Sequence, residues 1–151
     1  MTGPEAPAPG APAPEARPPK PRPAPVPDPD SAPYWTAAHE GRLVVQRCSS
    51  CGAHQLYGRD RCLVCRGPVE WVPASGRGTV YSYTVIRQNY ARPFRDQLPY
   101  VVALVDLAEG PRVMTNVVGC DPEEVSIGLA VRARFEVVSE AAGIALFEPD
   151  R

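Results

Sequence analysis

Hydrophobic and polar residues alternate along the second half of the chain with the two-residue period of β-strands. From Val131 to Val137 the odd-numbered positions are apolar, and the even-numbered positions between them are charged. The segment 100–107 is instead almost continuously apolar, which predicts a strand buried on both faces. Turn residues separate the apolar segments. The pattern predicts five strands, at residues 79–87, 100–107, 112–118, 130–138 and 144–147.

The five predicted strands fit a small closed barrel. Asp121 and Pro122, between the third and fourth strands, are typical of a helix N-cap and first turn, and Gly128 follows as a stop signal. Five short strands with a helix at this place predict a mainly β fold, an oligonucleotide/oligosaccharide-binding (OB) barrel over residues 73–151. An SH3-like barrel produces a similar pattern and remains an alternative.

The N-terminal part divides into two regions. Residues 1–33 hold 13 of the chain's 20 prolines and almost nothing to bury, which predicts a disordered, partly polyproline-II tail. We interpret this tail as a spacer or tether, although its Pro-x-x-Pro spacings also suit an aromatic groove. Order is expected from Tyr34, with a helix over 34–40 that ends at Gly41 and a strand over 42–47.

Two Cys-x-x-Cys pairs, ten residues apart, lie within residues 34–72. Each pair fits on a tight turn, and four thiolates at about 2.3 Å complete a tetrahedral shell around Zn²⁺. Gly52 and Gly67 stand where such turns need a positive φ. The spacing predicts a rubredoxin-like zinc ribbon with four cysteine ligands, whose metal is structural because a full thiolate shell leaves no position for a substrate. The predicted ligands are Cys48, Cys51, Cys62 and Cys65.

Other uses of the cysteines are weaker. A rubredoxin-type iron site needs the same four ligands and is not distinguished by spacing. Disulfides are disfavoured because nothing marks the chain as secreted, and a redox Cys-x-x-Cys needs a βαβ pattern that the sequence lacks. His54 has little reason to replace a sulfur when four are present. Cys120 is interpreted as a small structural residue at a strand end.

Charge is distributed unevenly, although the whole chain carries a formal net charge of −1. Residues 42–95 contain nine arginines and two acidic residues, whereas residues 96–151 contain four arginines and ten acidic residues. A basic first part favours phosphate-bearing partners. The near-neutral total disfavours nucleic acid, because affinity for nucleic acid rests mostly on neutralising phosphates.

The loop after the first predicted barrel strand interleaves arginines with aromatic residues. In OB barrels this loop is a common binding element. Its side chains suit a nucleotide held by stacking and phosphate contacts, or a protein partner, while a solvated hairpin loop is the alternative. The candidate binding residues are Arg87, Tyr90, Arg92, Phe94 and Arg95.

An ordered set of motifs resembles one known family. It consists of the helix with Tyr34-Trp35, then GRLVVQRCSSCG, CLVC, WVPASGRGTVYSYTVI and LPYVVALVDLAEGPRVMTNVVG. Together these motifs, which cover about residues 34–150, look like the zinc-ribbon/OB-fold family associated with acyl-CoA enzymes, often labelled only as a domain of unknown function. The family's four metal positions fall on the four cysteines of the two Cys-x-x-Cys pairs.

The resemblance implies a non-catalytic accessory subunit. Members of this family pair with thiolase-superfamily proteins, including thiolases and thiolase-like aldolases, and some join a hot-dog-fold enoyl-CoA hydratase. Their proposed role is to complete the partner's CoA site or to bridge two enzymes, so acyl-CoA is expected at the shared interface, near the arginine-rich loop. The family has no catalytic residue to carry over to this chain.

The leading hypothesis is therefore an accessory subunit in acyl-CoA metabolism, for example of lipids or steroids. A single-stranded nucleic-acid-binding protein is the alternative, since zinc ribbons and OB folds both serve that role. An independent enzyme is the weakest hypothesis. The longest apolar run, residues 101–105, is too short to span a bilayer, and no basic-then-apolar leader is visible. We expect a cytoplasmic protein without a membrane partner.

Overall fold

The computed structural model describes residues 22–151, so the prediction for residues 1–21 of the tail lies outside the described part of the chain. The described residues form one α-helix, α1, over Ala32–His39 and eight strands. No helix in this part of the chain is long and apolar enough to cross a membrane. The strands are β1 Val44–Cys48, β2 His54–Gln55, β3 Val69–Pro73, β4 Arg77–Ile86, β5 Tyr100–Leu107, β6 Arg112–Val117, β7 Ala130–Ser139 and β8 Ala142–Pro149.

Helix α1 begins two residues earlier than the sequence predicts. The N–H of Ser31 donates to the Asp28 carboxylate at 2.8 Å, and the N–H of Ala32 donates to the Asp28 carbonyl at 2.8 Å. These bonds form the first turn ahead of the aromatic residues. The helix ends at His39, and Gly41 follows with a φ of 76°, the left-handed conformation that commonly terminates helices.

The buried side of α1 packs against the barrel at β8. Gly143 permits this contact, because a Cβ at that position would lie 2.5 Å from the carbonyl carbon of Ala38. The Nδ1 atom of His39 is 3.1 Å from the Ser139 carbonyl oxygen, which ties the end of the helix to β7. The helix that precedes the ribbon in the chain is therefore held against the barrel.

The ribbon is a three-stranded antiparallel sheet with the order β2-β1-β3. The central strand β1 pairs with β3 along its whole length, from Val44 to Cys48. It pairs with β2 only at Gln46 and Arg47. The valines at the start of β1 lie in the hydrophobic core. Its last residue, Cys48, lies with the other cysteines.

Strands β4 to β8 close a barrel in the order β4-β5-β6-β8-β7, which confirms the predicted five-stranded OB barrel. Neighbouring strands are antiparallel except β6 and β8, which pair in parallel where Val117 lies opposite Phe147. The helix expected between the third and fourth barrel strands is only a 3₁₀ turn, Pro122–Glu124. Asp121 caps this turn, but Val125 is already extended, so the helix cannot continue.

Strand β5 shows that one prediction is wrong, because it is not buried on both faces. Its inward positions are buried, whereas the outward residues Tyr100, Val102 and Leu104 are partly exposed. No second layer of the described chain fully covers this outer face. The continuous apolar sequence of β5 therefore describes a core face and a partly open apolar face.

One hydrophobic cluster joins the base of the ribbon to the barrel. Val44 and Val45 of β1 belong to the same buried cluster as Val80 and Phe147 of the barrel and Tyr34 of α1. Val45 and Phe147 have no exposed surface. The cysteine end of the ribbon lies outside this cluster and needs another source of stability.

Candidate functional site

The four predicted zinc ligands lie together at one end of the ribbon. Cys48 ends β1 and Cys51 follows on a turn, while Cys62 and Cys65 lie on a second turn between β2 and β3. Their Sγ atoms all lie within 4.8 Å of one another, with Cys48–Cys65 at 3.5 Å and Cys51–Cys62 at 3.7 Å. A tetrahedral shell with Zn–S distances near 2.3 Å has sulfurs about 3.8 Å apart, so the four sulfurs fit a zinc ion.

The electrostatics of the cluster also fit a cation. The N–H of Cys51, 3.5 Å from the Cys48 sulfur, is the main group that lowers the pKa of the Cys48 thiol to about 6. The N–H of Cys65 likewise lowers the pKa of Cys62. At Cys51 the Ala53 N–H lowers the pKa, but the thiol of Cys65, burial and the other thiols outweigh it and raise the pKa to about 12. Four thiolates this close require a metal ion between them.

The two cysteine turns use different residues for their positive φ. Gly52 has a φ of 75° in the first turn, as the sequence predicts. In the second turn Arg66 takes the positive φ, 65°, so the assignment of this role to Gly67 is wrong. Gly67 is required for another reason, because a Cβ there would lie 2.6 Å from the Ser50 hydroxyl oxygen. It lets the two turns approach each other.

Two buried glutamines, which the sequence pattern does not predict, hold the second cysteine turn. The side chain of Gln46 accepts from the N–H of Arg59 and donates to its carbonyl, both at 2.9 Å. Gln55 donates to Gln46 at 2.8 Å and accepts from the N–H of Leu63 at 2.9 Å. The segment that carries Cys62 is thereby fixed on β1 and β2. The one sequence signal is a glutamine at an inward position of a strand rich in valine.

The structure does not gather the five candidate loop residues into one pocket. Arg87 forms an ion pair with Glu123 of the 3₁₀ turn. Phe94 instead packs against Tyr100 of β5, with ring centroids 6.3 Å apart. The start and the middle of the loop therefore contact different parts of the barrel.

Beside these two contacts, the loop presents exposed side chains. Tyr90 is 83% exposed, and Arg92 and Arg95 are exposed and form no ion pair with any residue of the described range 22–151. Asn89, another residue missed from the sequence, donates to the Tyr100 hydroxyl at 2.9 Å and so anchors the loop. The arrangement leaves two cations and one aromatic ring available to a partner or ligand.

The remaining candidates for chemistry have structural surroundings. Burial is the main cause that raises the pKa of the Cys120 thiol, which makes it a poor nucleophile. His39 is engaged with the Ser139 carbonyl. Neither residue belongs to a nucleophile–base pair within the part of the chain that the structure describes.

Family models divide the chain at the junction of ribbon and barrel. The model described as the ChsH2 rubredoxin-like zinc ribbon domain matches residues 35–71. The model of the ChsH2 C-terminal OB-fold domain matches residues 71–136. The zinc ribbon and the OB barrel seen in the fold therefore correspond to two recognised domains.

Individual relatives extend this similarity. A DUF35 domain-containing scaffold protein of Methanocaldococcus jannaschii is 38% identical over 100 residues, which cover 65% of this chain and 70% of that protein. The 3-oxo-4,17-pregnadiene-20-carboxyl-CoA hydratase alpha subunit of Mycobacterium tuberculosis is 34% identical over 110 residues. That match covers 70% of this chain but only 33% of the hydratase subunit.

A solved structure is similar over most of the fold. A chain of the structure described as the Ltp2-ChsH2(DUF35) aldolase superposes with a TM-score of 0.76 and 35% identity, covering 85% of this chain and 100% of that one. The ribbon holds structural zinc, as its rubredoxin-like zinc ribbon match and its four clustered sulfurs indicate. The chain belongs to the DUF35 family of zinc-ribbon/OB-fold proteins, a family tied to acyl-CoA enzymes.

Proposed function

We propose that this chain is a non-catalytic accessory subunit of an acyl-CoA-processing complex, docking on a thiolase-superfamily enzyme and helping to form its CoA site. The observation that carries the proposal is the structural match to a whole chain of the Ltp2-ChsH2(DUF35) aldolase. The hydratase alpha subunit with a similar segment supports a hot-dog-fold hydratase as a further partner. The aldolase and the hydratase alpha subunit are each named as one component of an enzyme that has more than one chain.

The zinc centre supports an assisting role. We assign Cys48, Cys51, Cys62 and Cys65 as the ligands, which leaves no open coordination position for substrate or water. The metal then fixes the shape of the ribbon and takes no part in bond making. Reduced thiols are needed to bind it, which fits a cytoplasmic protein. Residues 34–72 and 73–151 are the two proposed structural units, and α1 of the first unit begins at Ala32, within the preceding segment 1–33.

The exposed part of the loop between β4 and β5 is the proposed contact with CoA or the partner. CoA carries an anionic 3′-phospho-ADP group, and arginine binds phosphate oxygens in a bidentate way. Arg92 and Arg95 have no acidic partner in the described chain, and Tyr90 offers a ring for stacking. Arg87 at the start of the loop and Phe94 between the two arginines hold the loop through Glu123 and Tyr100.

The test compares binding of purified, zinc-loaded variants to a thiolase-superfamily protein and a hot-dog-fold hydratase from the same source. We expect the natural chain to co-elute with the thiolase-superfamily protein. The double variant Arg92→Ala/Arg95→Ala should weaken that complex at least about 30-fold, the size of an interface hot-spot loss. Its unfolding midpoint should stay unchanged, because both side chains are exposed.

The matched control is Arg132→Ala/Arg134→Ala, which removes two exposed arginines that pair with Glu148 of β8. This variant should bind as the natural chain does. Failure of the natural chain to bind either enzyme class contradicts the accessory function. Equal binding by the loop variant removes the loop from the interface and leaves the function in place.

A further inference from the structure

An apolar groove lies on the outer surface of β5 and β6. It consists of a cavity of about 260 Å³ and a second depression of about 240 Å³, which we together call the aromatic groove. In OB barrels the outer face of the second and third strands, with the loop between the first two, is the usual ligand site. The apolar lining of the groove comes mainly from Tyr34, Trp35, Tyr57, Phe94, Tyr100 and Met114.

The groove presents apolar side chains to solvent. Met114 is 63% exposed and Tyr57 is 49% exposed, and the outward residues Tyr100 and Val102 of β5 continue the same surface. The N–H of Met114 donates to the Tyr57 hydroxyl at 3.1 Å, which fixes one aromatic ring at the wall of the groove. A contiguous exposed apolar surface of this kind marks a binding site.

The polar side chains of the groove are bonded to the barrel. The Thr115 hydroxyl donates to the Ala145 carbonyl at 2.9 Å. The side-chain nitrogen of Asn116 donates to the Val101 carbonyl at 2.8 Å, which leaves the Asn116 side-chain oxygen free to accept from another group. The walls therefore offer a ligand few unsatisfied neutral donors, and hydrocarbon is the better match for them.

Arg22 is the one charged side chain among the described residues that line the groove. Its guanidinium donates to the side-chain oxygens of Asn116 at 3.3 Å and of Gln97 at 2.8 Å, and both acceptors are neutral. No carboxylate in the range 22–151 forms an ion pair with it. A guanidinium has further N–H donors and binds carboxylate or phosphate oxygens strongly. The groove thus combines a hydrocarbon surface with one positive charge.

We propose that the aromatic groove binds an amphiphilic anion, with an acyl chain along the aromatic side chains and an anionic head group at Arg22. Charge complementarity carries the proposal, because an apolar lining without acidic residues and a guanidinium held by neutral amides both fit this ligand. The size of the groove also fits small-molecule sites, which measure about 300–1,000 Å³. A free fatty acid and an acyl-CoA share this chemistry. The inference needs no partner enzyme, so its failure leaves the proposed function in place.

Trp35 lines the groove and provides the readout. The chain has two tryptophans, so Trp71→Phe in the full, zinc-loaded protein leaves Trp35 as the single indole. Titration with hexanoate, octanoate and decanoate, each below its micelle concentration, should shift the Trp35 emission. The Kd should fall about 3-fold for each added methylene, close to the value for burying that group. Calorimetry on the natural chain measures the same affinities without the substitution.

Two variants test the two parts of the site. Arg22→Gln should weaken decanoate binding about 10-fold, the loss of a charged hydrogen bond. Met114→Glu places a carboxylate in the groove and should weaken binding at least as much, with an unchanged urea midpoint because Met114 is exposed. Arg42→Gln is the matched control, since Arg42 pairs with Glu40 and does not line the groove. It should bind as the natural chain does.

A comparison of decanoyl-CoA, decanoate and CoA alone identifies the source of the acyl chain. Tighter binding of decanoyl-CoA than of decanoate, with CoA alone the weakest, assigns acyl-CoA as the ligand, and tighter binding of decanoate assigns a free acid. Either order supports the proposal.

Three results overturn the proposal. The first is the absence of both a saturable Trp35 shift and binding heat with every acyl ligand. The second is a Kd that does not depend on chain length, which shows that the hydrocarbon is not buried. The third is unchanged decanoate affinity in Met114→Glu or in Arg22→Gln, which places the chain or its head group elsewhere.

Discussion

The ribbon and the barrel of this chain are stabilised by different chemistry. The barrel encloses aliphatic and aromatic side chains, among them Val80, Val105, Val131 and Phe147, each at most 1% exposed. The buried side chains near the cysteine end of the ribbon are thiols and amides, such as Cys62, which is fully buried. The interior of the barrel is therefore hydrocarbon, whereas the interior of the cysteine end of the ribbon consists of sulfur atoms and hydrogen-bonded amides.

The difference shows what each region depends on. Burial of apolar surface stabilises the barrel at about 25 cal/mol per Å² without any ligand. The segment between β1 and β3 has too little apolar surface for that, so its folding free energy comes from the metal. We therefore expect the ribbon to respond to metal removal and the barrel to respond to cavities in its core.

The largest effect is expected from Cys62→Ser. Loss of one ligand should abolish zinc binding and remove apparent folding free energy on the order of 10 kcal/mol from the ribbon. Metal analysis should fall from about one zinc per chain to near zero, and hydrogen exchange should become fast in residues 48–68 while the barrel stays protected. Cys120→Ser is the matched control and should keep its zinc. Full zinc occupancy in Cys62→Ser would refute the ligand assignment.

The reverse change is Phe147→Ala in the barrel core. A cavity of this size costs about 3–5 kcal/mol, seen as a lower midpoint in urea unfolding. The folded fraction should still hold one zinc per chain, because the core cluster that contains Phe147 includes none of the four zinc ligands. Val137→Ala, at a site that is 60% exposed, serves as the control and should leave the midpoint nearly unchanged. Loss of zinc together with the barrel's stability would show that the two regions are not separable.

A smaller effect is expected from Gln46→Leu, which removes the amide that binds Arg59. It leaves the backbone N–H and carbonyl of Arg59 and the buried Gln55 amide without this partner, at a cost of about 1–3 kcal/mol. Because the second cysteine turn loosens, zinc should pass faster to a chelator, and a colorimetric chelator measures this rate. The exposed Gln88→Leu should release zinc at the natural rate. An unchanged rate in Gln46→Leu would mean that the glutamines do not support the metal site.

The smallest effect concerns Asp106→Asn on the barrel surface. Arg112 bonds Asp106 at 2.6 Å and lies 3.2 Å from the Tyr81 ring centroid, and its hydrogen bond is the main cause that lowers the pKa of Asp106 below 3.8. The stabilisation, which is small for an exposed pair, is present above pH 3.8 and is lost as the pH falls through the lower folded pKa. Urea midpoints of both proteins should therefore converge in acid. A difference between the two urea midpoints that grows as the pH falls would contradict this prediction.

Local signals were sufficient for much of this fold. The cysteine spacing predicts the metal cluster, and the two-residue alternation predicts the barrel strands, because ligand spacing and strand period are properties of short segments. Gly41 predicts the end of α1 for the same reason. Each of these features depends on residues close together in the chain.

The missed features depend on contacts between distant segments. The ion pair of Arg87 with Glu123 and the bonds of Gln46 to Arg59 arise only once the strands are in register. Arg66 has the positive φ that was expected at Gly67, and Gly67 is needed where the two cysteine turns approach each other. The outer face of β5 is partly exposed because no other element of the described chain fully covers it. Periodicity carries none of this information.

The most direct test of an assisting, zinc-built platform is the turnover of acyl-CoA substrate by the thiolase-superfamily partner. It should be measured for the partner alone, with the natural chain, with Cys62→Ser, and for the chain alone. We predict full activity only with the natural, zinc-loaded chain, reduced activity with Cys62→Ser, and none from the chain by itself. Equal partner rates with and without the chain, or thioester turnover by the isolated chain, would contradict the account.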